Sequence, residues 1–265
     1  MNDRVEEIKE KVNDAQMILI GIGEDFQYDW NLLLQDARYQ EIEKEIGDNE
    51  QYIWIVPFLQ KMILMQRQED KWKRAYDGLA QLIRDKNYFI VSLCMDDRIY
   101  EADFDKRKIV TPCGGFRQMQ CNHNCSGELT DMPLDSYEAV MRYYRGEISL
   151  SDLQEPVCHV CGGKRRFNQL GVSKYAEEGY LKQWDAYTKW LQSTVNKNLC
   201  VLELGVGLEY PKIIRFPFEK IVFYNQKASI YRVHPVVYQL GEEIGDRGAG
   251  IQEDPLDFLI KGFVK

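Results

Sequence analysis

Apolar positions along the chain form two kinds of segment, and each kind predicts a different element. Uninterrupted apolar runs are typical of strands buried on both faces, and they occupy residues 15–20, 88–94 and 199–204. Shorter β-rich runs predict three further strands, at residues 108–111, 220–224 and 230–233. Helical spacing of apolar residues predicts helices at residues 4–14, 26–47, 52–66, 72–85, 97–102, 135–145 and 173–196. Asp254 followed by Pro255 predicts the start of the last helix, with the aspartate as its cap.

The alternation of strands with helices predicts the fold class. Strands separated by helices pair in parallel, and the helices cover both faces of the sheet. We therefore predict an α/β protein with a Rossmann-type doubly wound parallel sheet and an inserted small domain of zinc ribbon plus helical module. The predicted divisions are a Rossmann-type domain (1–26, 86–115 and 197–265), a helical cap module beside the sheet (27–85), a zinc-ribbon module (116–172) and a connecting helix (173–196).

Four of the seven cysteines form two close pairs about thirty residues apart. The pairs are Cys121 with Cys125 and Cys158 with Cys161. Two thiolate pairs complete a tetrahedral zinc site with no open position, which is a structural site and not a catalytic one. His123 and His159 lie inside the two turns, and either could replace a thiolate. Two disulfides, or buried thiols without a metal, are the other interpretations.

Composition limits the environment and the partners. A chain of 265 residues can bury a full core, and it has no apolar run long enough to span a bilayer. It also lacks an N-terminal apolar run preceded by positive charge, so we expect a soluble, cytoplasmic protein. The net charge of −8 argues against binding to a phosphate backbone. We expect a protein partner or protein substrate, with no nucleic acid and no membrane.

Two of the buried runs end in closely spaced glycines, Gly21 and Gly23 in the first and Gly205 and Gly207 in the second. A buried strand that runs into glycines opens a nucleotide-binding turn in parallel α/β sheets. The order of strand with glycines, cap helices, strand, four-cysteine module and strand with glycines resembles the sirtuin family. The stretches that look like the macrodomain-linked (class M) microbial sirtuins are residues 86–91, 95–96, 102–106, 202–207 and 211–218. Those enzymes are similar to protein ADP-ribosyltransferases.

The resemblance implies a cleft in which a peptide and nicotinamide adenine dinucleotide (NAD) meet. The cofactor-binding residues that it implies are Gly21, Gly23, Gly205, Gly207, Asn225 and Asp254. The glycines would approach the phosphates and a ribose. Asn225, placed after a predicted strand, would contact the adenosine ribose, and Asp254 would lie near the adenine. Asp96 would hold the nicotinamide end.

The departures from the family pattern fall on this chemistry. Glu24 and Asp25 follow the first glycines, and carboxylates there would repel a pyrophosphate unless one turns outward as a helix cap. Cys94 replaces the asparagine of the family's Asn-x-Asp motif, and Cys113 falls at the catalytic position. We predict a degenerate site with Asp96, Cys94 and Cys113 at its centre, weak or lost NAD chemistry, and a role in binding a partner or ligand. An active NAD-dependent ADP-ribosyltransferase or deacylase, and a reversible thiol switch between the two cysteines, are the alternatives.

Overall fold

The computed structural model describes residues 2–26, 29–47, 49–67 and 69–264. Its helices are α1 (Asn2–Asp14), α2 (Asn31–Leu34), α3 (Ala37–Ile46), α4 (Ile55–Arg67), α5 (Glu69–Leu82), α6 (Leu134–Tyr144), α7 (Leu181–Gln192), α8 (Arg215–Tyr224) and α9 (Pro255–Phe263). Its strands are β1 (Met17–Ile22), β2 (Tyr88–Ser92), β3 (Ile109–Val110), β4 (Gly114–Cys121), β5 (Thr130–Asp131), β6 (Arg165–Gln169), β7 (Leu199–Leu204), β8 (Ala228–Val233) and β9 (Gly248–Ile251). The predicted module boundary at residue 27, and the chain ends at residues 1 and 265, lie outside the described residues.

Within the described residues, six strands form one sheet in the order β3-β2-β1-β7-β8-β9. Every neighbouring pair in this sheet is parallel. The chain starts at the centre with β1, moves outward to β3, and returns to the centre at β7 before it moves outward to β9. This order places a topological switch point between β1 and β7, where α/β sheets bind ligands at the carboxyl ends of the strands. The predicted Rossmann-type doubly wound sheet is confirmed.

Both faces of this sheet are covered, which explains the uninterrupted apolar runs. Ile18, Ile20 and Ile22 of β1 pack into the core on one face, together with residues of α1, α5 and α9. Met17 and Leu19 pack into the core on the opposite face, which residues of α7 and α8 share. A strand between two apolar layers needs apolar side chains at every position, so period-two alternation is absent.

A third core joins the helices that follow β1 to the inserted module. Residues of α3, α4, α6, β4 and β6 share this core, in which the rings of Phe58 and Phe167 lie 4.8 Å apart. A small antiparallel sheet of order β5-β4-β6 forms the frame of the inserted module. The single cap predicted over residues 27–85 stays a prediction: among the described helices of this segment, α3 and α4 share the third core, whereas α5 packs into a core of the large sheet. We propose a division of this segment between α4 and α5.

The strand predicted over residues 220–224 is wrong, because these residues end helix α8. Ile214, Phe218 and Val222 are fully buried at intervals of four residues, which is a helical repeat. Pro217 lies in the first turn of the helix, where the missing amide donor costs nothing, whereas it would break a central strand. The β-rich composition of the last turn concealed the helical period.

Two other differences concern length and a missed strand. The helix predicted over residues 173–196 is shorter, since α7 covers only Leu181–Gln192 and a single turn of 3₁₀ helix precedes it at Glu177–Gly179. The edge strand β9 was not predicted, because its sequence Gly-Ala-Gly-Ile carries almost no apolar or β-branched signal.

A buried ion-pair network fastens α8 to the sheet. The Arg232 side chain on β8 and the Glu203 side chain on β7 are both 0% exposed, and Arg232 Nε lies 2.5 Å from Glu203 Oε2. Arg232 also donates to Glu219 Oε1 on α8 at 2.7 Å and to the carbonyl oxygen of Gln239 at 2.6 Å. Burial raises the pKa of Glu203, and the attraction of Arg232 opposes this shift. The guanidinium therefore holds a carboxylate that the apolar surroundings would otherwise neutralise.

We expect Arg232→Met to lower the free energy of unfolding by about 3–5 kcal/mol, because it leaves the Glu203 carboxylate buried without its cation. The double variant Glu203→Leu/Arg232→Met should lose clearly less, since neither charge remains in the core. Urea denaturation at neutral pH, followed by circular dichroism, measures both losses. A double variant as unstable as the single one would contradict this account of the network.

Candidate functional site

The two glycine turns predicted from the sequence touch each other at the carboxyl edge of the sheet. A Cβ atom on Gly23 would lie 2.2 Å from the carbonyl oxygen of Gly205, so no side chain fits there. Gly205 has a φ of +63°, a conformation that favours glycine. Asp25 donates its amide to the carbonyl oxygen of Gly205 at 3.0 Å, which locks the turns together. The structure thus brings the turns after β1 and β7 into contact, while their predicted role in binding a dinucleotide stays a prediction.

Gly21 and Gly207 are also positions where a side chain would collide, but for different reasons. Gly21 lies inside β1, and a Cβ atom there would approach Ile214 Cγ2 to 2.5 Å. This glycine lets α8 pack closely on the sheet, and it is not part of the turn itself. A Cβ atom on Gly207 would lie 2.6 Å from Glu24 Oε1. The absence of a side chain at Gly207 therefore leaves room for the carboxylate of Glu24.

The Glu24 side chain points into the site and not into solvent. It is 8% exposed, and its Oε1 atom accepts a hydrogen bond of 2.8 Å from the backbone amide of Glu209. Its Oε2 atom is buried and has no hydrogen-bond partner among the described residues. The Glu24 carboxylate therefore already accepts the hydrogen bond that a backbone amide in the loop after β7 could offer to a ligand. Sequence reasoning missed the amide of Glu209, because a backbone donor leaves no mark in residue identity.

Asp25 turns outward, in contrast. Its side chain is half exposed, and its Oδ2 atom lies 2.6 Å from Nε2 of the buried His234, although the N–H is not aligned for a hydrogen bond. His234 Nδ1 accepts hydrogen bonds from the amides of Val236 and Val237, which leaves the proton on Nε2. Burial lowers the pKa of His234 against the opposing attraction of Asp25. The histidine supports the loop after β8.

Positive charge near the two turns comes from Arg215, at the start of α8. Its guanidinium donates to the carbonyl oxygens of Val206, Val237 and Gln239, and it lies 3.9 Å from Glu219. Burial lowers the pKa of this guanidinium, with the nearby Arg232 as the second cause. The Arg215 guanidinium behind the turns thus already interacts with three carbonyl oxygens and one carboxylate.

The two cysteines predicted at the catalytic centre are buried and not ionised. The Cys94 thiol donates to the carbonyl oxygen of Gly23 at 3.3 Å, and burial followed by the charge of Asp96 raises its pKa well above the ordinary value. Burial and the charge of Glu24 raise the pKa of Cys113 to about 12. Cys94 packs into one core of the sheet and Cys113 into the other, and both thiols are free. Neither thiol is prepared to act as a nucleophile or base.

Asp96 is the carboxylic acid of the site whose pKa the surroundings raise to about 7. It is 2% exposed, and its Oδ1 atom accepts the amide of Arg98 at 3.2 Å, while Oδ2 has no hydrogen-bond partner among the described residues. Burial raises its pKa to about 7, against the attraction of the Arg98 charge. A small polar cavity of about 20 Å³ adjoins it, with Arg117 and Asn168 in its lining. The predicted role of Asp96 stays a prediction.

The structure places Asn225 away from the turns. Its side chain donates to the carbonyl oxygens of Thr194 and Lys197, at 3.2 and 3.1 Å, ahead of β8 and therefore at the amino edge of the sheet. The predicted contact with a ribose depended on a strand over residues 220–224, where the structure has helix α8, and it stays a prediction. Asn225 instead ends α8 and joins it to the turn after α7.

Asp254 lies at the expected edge of the sheet. It caps α9, where its Oδ1 atom accepts the amide of Asp257 at 2.9 Å, as the sequence predicted. The next residue, Pro255, would lie 3.3 Å from a Cβ atom on Gly205. The start of α9 therefore borders the glycine turns, while the predicted adenine contact stays a prediction.

The four predicted cysteine ligands come together at the far end of β4. Cys121 Sγ lies 3.5 Å from Cys161 Sγ, Cys125 Sγ lies 3.7 Å from Cys158 Sγ, and all four sulfurs lie within 4.8 Å of one another. A tetrahedral zinc ion with Zn–S bonds of about 2.3 Å needs sulfurs about 3.8 Å apart, so this cluster fits zinc. His123 and His159 lie outside it.

Solved sirtuin structures share the fold of this chain. A structure from work on sirtuin substrate affinity has a TM-score of 0.55 at 15% identity and covers 97% of this chain and 96% of the other. The structure of Sir2Tm bound to a propionylated peptide has a TM-score of 0.53 at 14% identity, with the same coverage of both chains. The protein is therefore sirtuin-like in fold, which confirms the resemblance predicted from the sequence.

Sequence comparison finds two relatives with ADP-ribosyltransferase in their names. A protein ADP-ribosyltransferase of Staphylococcus aureus is 21% identical over 272 residues, which cover 95% of this chain and 84% of that protein. A probable bifunctional ADP-ribose hydrolase/ADP-ribosyltransferase of Fusarium oxysporum f. sp. cubense is 29% identical over 134 residues. That match covers 48% of this chain and only 22% of the fungal protein. No protein-family model matches the chain.

In the part of the chain that the structure describes, no helix is both long enough and apolar enough to cross a bilayer.

We expect Cys121→Ser to lose the metal and to lower the thermal midpoint of unfolding, because three thiolates bind zinc far more weakly than four. The matched control is Cys200→Ala, which removes a buried thiol outside the cluster. Elemental analysis of protein purified without a chelator should give one zinc per chain for wild type and control. Less than about half an equivalent in wild type would contradict zinc binding.

Asp96 should make stability depend on pH. The folded protein keeps this carboxyl protonated to about pH 7, whereas the unfolded chain releases the proton near the ordinary value of 3.8. The stability that the proton contributes is therefore complete below about pH 4 and is lost as the pH rises to 7.

Asp96→Asn should remove this loss. The free energy of unfolding of Asp96→Asn, measured relative to wild type, should rise between pH 4 and pH 7 and stay level above pH 7. The rise should be at most about 4 kcal/mol, because each unit of pKa shift corresponds to 1.36 kcal/mol. Urea denaturation at several pH values measures the difference. Asp246→Asn, at a side chain that is 86% exposed, is the control and should give a flat difference. Parallel curves for Asp96→Asn and wild type would contradict the raised pKa.

Proposed function

We propose that this protein is a sirtuin-like relative of the NAD-dependent protein ADP-ribosyltransferases in which the dinucleotide site is blocked and a binding role remains. The observation that carries the proposal is the hydrogen bond of 2.8 Å from the amide of Glu209 to Glu24 Oε1. A backbone amide beside glycine turns is the donor that such folds offer to phosphate groups. In this chain a built-in carboxylate accepts it.

Electrostatics support the same conclusion. Glu24 and Glu209 both carry acidic side chains at the turns. The nearby guanidinium of Arg215 does not offset them, because it already donates to carbonyl oxygens. A carboxylate a few ångströms from a phosphate costs about 1–4 kcal/mol at effective dielectric constants between those of protein surface and water. The pyrophosphate of a dinucleotide does not fit this donor set, so we derive no reaction step through NAD.

The buried groups support lost chemistry as well. Cys94 and Cys113 are buried and hold their protons firmly, so neither is the exposed thiolate that a thiol switch requires. Asp96 is the titrating acid of the site, and its pKa of about 7 suits a neutral hydrogen-bond donor at neutral pH. We also propose that zinc in the cysteine cluster is structural, because the cluster lies at the opposite end of β4 from the large sheet, roughly 20 Å along the strand.

The second candidate is an active NAD-dependent protein ADP-ribosyltransferase. The activity for which the bacterial relative is named favours it, since that protein matches 95% of this chain. Asp96 at the end of β2 would then be a group of the active site. This candidate requires the Glu24 side chain to leave the amide of Glu209 when NAD binds.

Titration calorimetry with NAD tests the proposal. We expect binding to wild type weaker than about 1 mM, since each repelled charge costs 1–4 kcal/mol. Glu24→Ser should bind at least about tenfold more tightly, and Glu24→Gln should fall between them, because its amide is neutral but still fills the space. The matched control Asp25→Asn changes the neighbouring carboxylate, which is half exposed, and should have little effect.

Tight binding of NAD by wild type would overturn the proposal. If that protein also released nicotinamide, and Asp96→Ala did not, the second candidate would replace it.

A further inference from the structure

Helix α8 carries aromatic side chains on its solvent side. Phe216, Phe223 and Tyr224 are 45, 40 and 78% exposed, and every other aromatic side chain in the described ranges is buried or partly buried. The rings of Phe223 and Tyr224 make an edge-to-face contact at 5.1 Å. Aromatic side chains concentrated on one exposed element mark an interaction surface, since they are enriched at the centres of protein interfaces.

These residues lie on one side of the helix. At 3.6 residues per turn, Phe216, Lys220, Phe223 and Tyr224 fall within about 100° of the helix circumference. We call these four residues the α8 outer face. Ile214, Phe218 and Val222 pack against the sheet on the opposite side. The outer face is therefore not needed for the fold.

Exposed valines lie near both ends of the helix. Arg215 donates to the carbonyl oxygen of Val237 at 3.0 Å, which places the neighbouring Val236, 68% exposed, beside the first turn. Asn225 donates to the carbonyl oxygen of Thr194 at 3.2 Å, which places Val195, 65% exposed, beside the last turn.

The charges around the outer face are positive, although the chain as a whole is acidic. Lys212, Lys220 and Lys227 are exposed at the start, middle and end of the surface, and none has an ion pair among the described residues. Among the nearby acids, Glu219 turns inward to Arg232 and Asp246 lies 4.0 Å from Arg247, whereas Glu243, whose carbonyl oxygen accepts from Arg247, is exposed beyond the end of the helix. A complementary surface would supply carboxylates opposite these lysines.

A second copy of the chain does not provide that complement. Two-fold pairing of the outer face with itself would bring Lys220, at the middle of the helix, next to its own copy. An anionic membrane is also a poor partner, because the net charge of −8 opposes approach to a negative surface. A protein segment with apolar and acidic residues satisfies both the aromatic side chains and the lysines.

We propose that the α8 outer face binds an acidic amphipathic segment of another protein. Such a segment lays apolar side chains on Phe216, Phe223 and Tyr224 and directs carboxylates to Lys220 and its neighbours. The surface lies on the helix layer and not at the glycine turns, so this inference does not depend on whether NAD binds.

A displayed library of random peptides, about 16 residues long so that each can form a helix of several turns, tests this proposal. The library is first depleted on Phe216→Ser/Phe223→Ser and then selected on wild type. We expect selected peptides to be net acidic, with apolar residues at helical spacing. Synthetic copies should bind wild type at least about tenfold more tightly than they bind either the depleting variant or Lys220→Glu/Lys227→Glu.

Matched controls change similar side chains elsewhere. Leu134→Ser removes a side chain that is 68% exposed, and Lys44→Glu reverses an exposed charge on α3, so both should bind the peptides as wild type does. Glu24→Gln should also bind them normally, which separates this result from the NAD titration. Thermal unfolding of each variant checks its fold, and the two lysine substitutions test the proposal even if the phenylalanine variant unfolds.

Three outcomes would overturn the proposal. The first is selection of neutral or basic peptides, or equal affinity for wild type and both variants. The second is a concentration-dependent dimer in sedimentation velocity that Phe216→Ser/Phe223→Ser abolishes, which would assign the face to a second copy. The third is binding to vesicles of phosphatidylcholine and phosphatidylserine that depends on the same residues, which would assign it to a membrane.

Discussion

The contact between the turns after β1 and β7 is the constraint on which the site depends. The parallel pairing of these two central strands brings Gly23 and Gly205 so close that neither position has room for a side chain. The chain leaves Gly23 directly into a short 3₁₀ turn, and the first residue of that turn is Glu24. Its side chain has little space except over Gly207 and toward the amide of Glu209. The backbone contact thus decides where the carboxylate goes.

The same burial gives the site its chemical character. A carboxylate near two thiols opposes their ionisation, and burial opposes it further, so Cys94 and Cys113 remain neutral. Asp96 is buried enough to keep its proton near neutrality. The environment therefore keeps Asp96 and the two thiols neutral, whereas binding a pyrophosphate requires amide donors and cations. The blocked amide and the protonated thiols have one physical origin, which is acidic side chains enclosed in a largely apolar space.

How much the sequence could predict depended on how many faces of each element are buried. Strands β1, β2 and β7 lie between two apolar layers, so their unbroken apolar runs identified them and fixed the fold class. The glycine turns and the cysteine cluster followed from residue identity and spacing. Edge strand β9 has three small residues and a single isoleucine, which is too little apolar sequence to form a pattern. The amide of Glu209 could not be predicted, since every residue except proline carries one and only the fold selects which donor is used.

The error at α8 has a cause that links the fold to the surface of the protein. A helix packed on one side is recognised by polar residues on the other, and α8 has Phe216, Phe223 and Tyr224 there instead. The last turn therefore resembled a buried strand, and the misplaced strand in turn moved Asn225 to the wrong edge of the sheet. Local patterns that conflict with the fold are expected where residues serve something other than folding. The outer face of α8 misled the sequence analysis because its aromatic side chains are not required by the core that the helix covers.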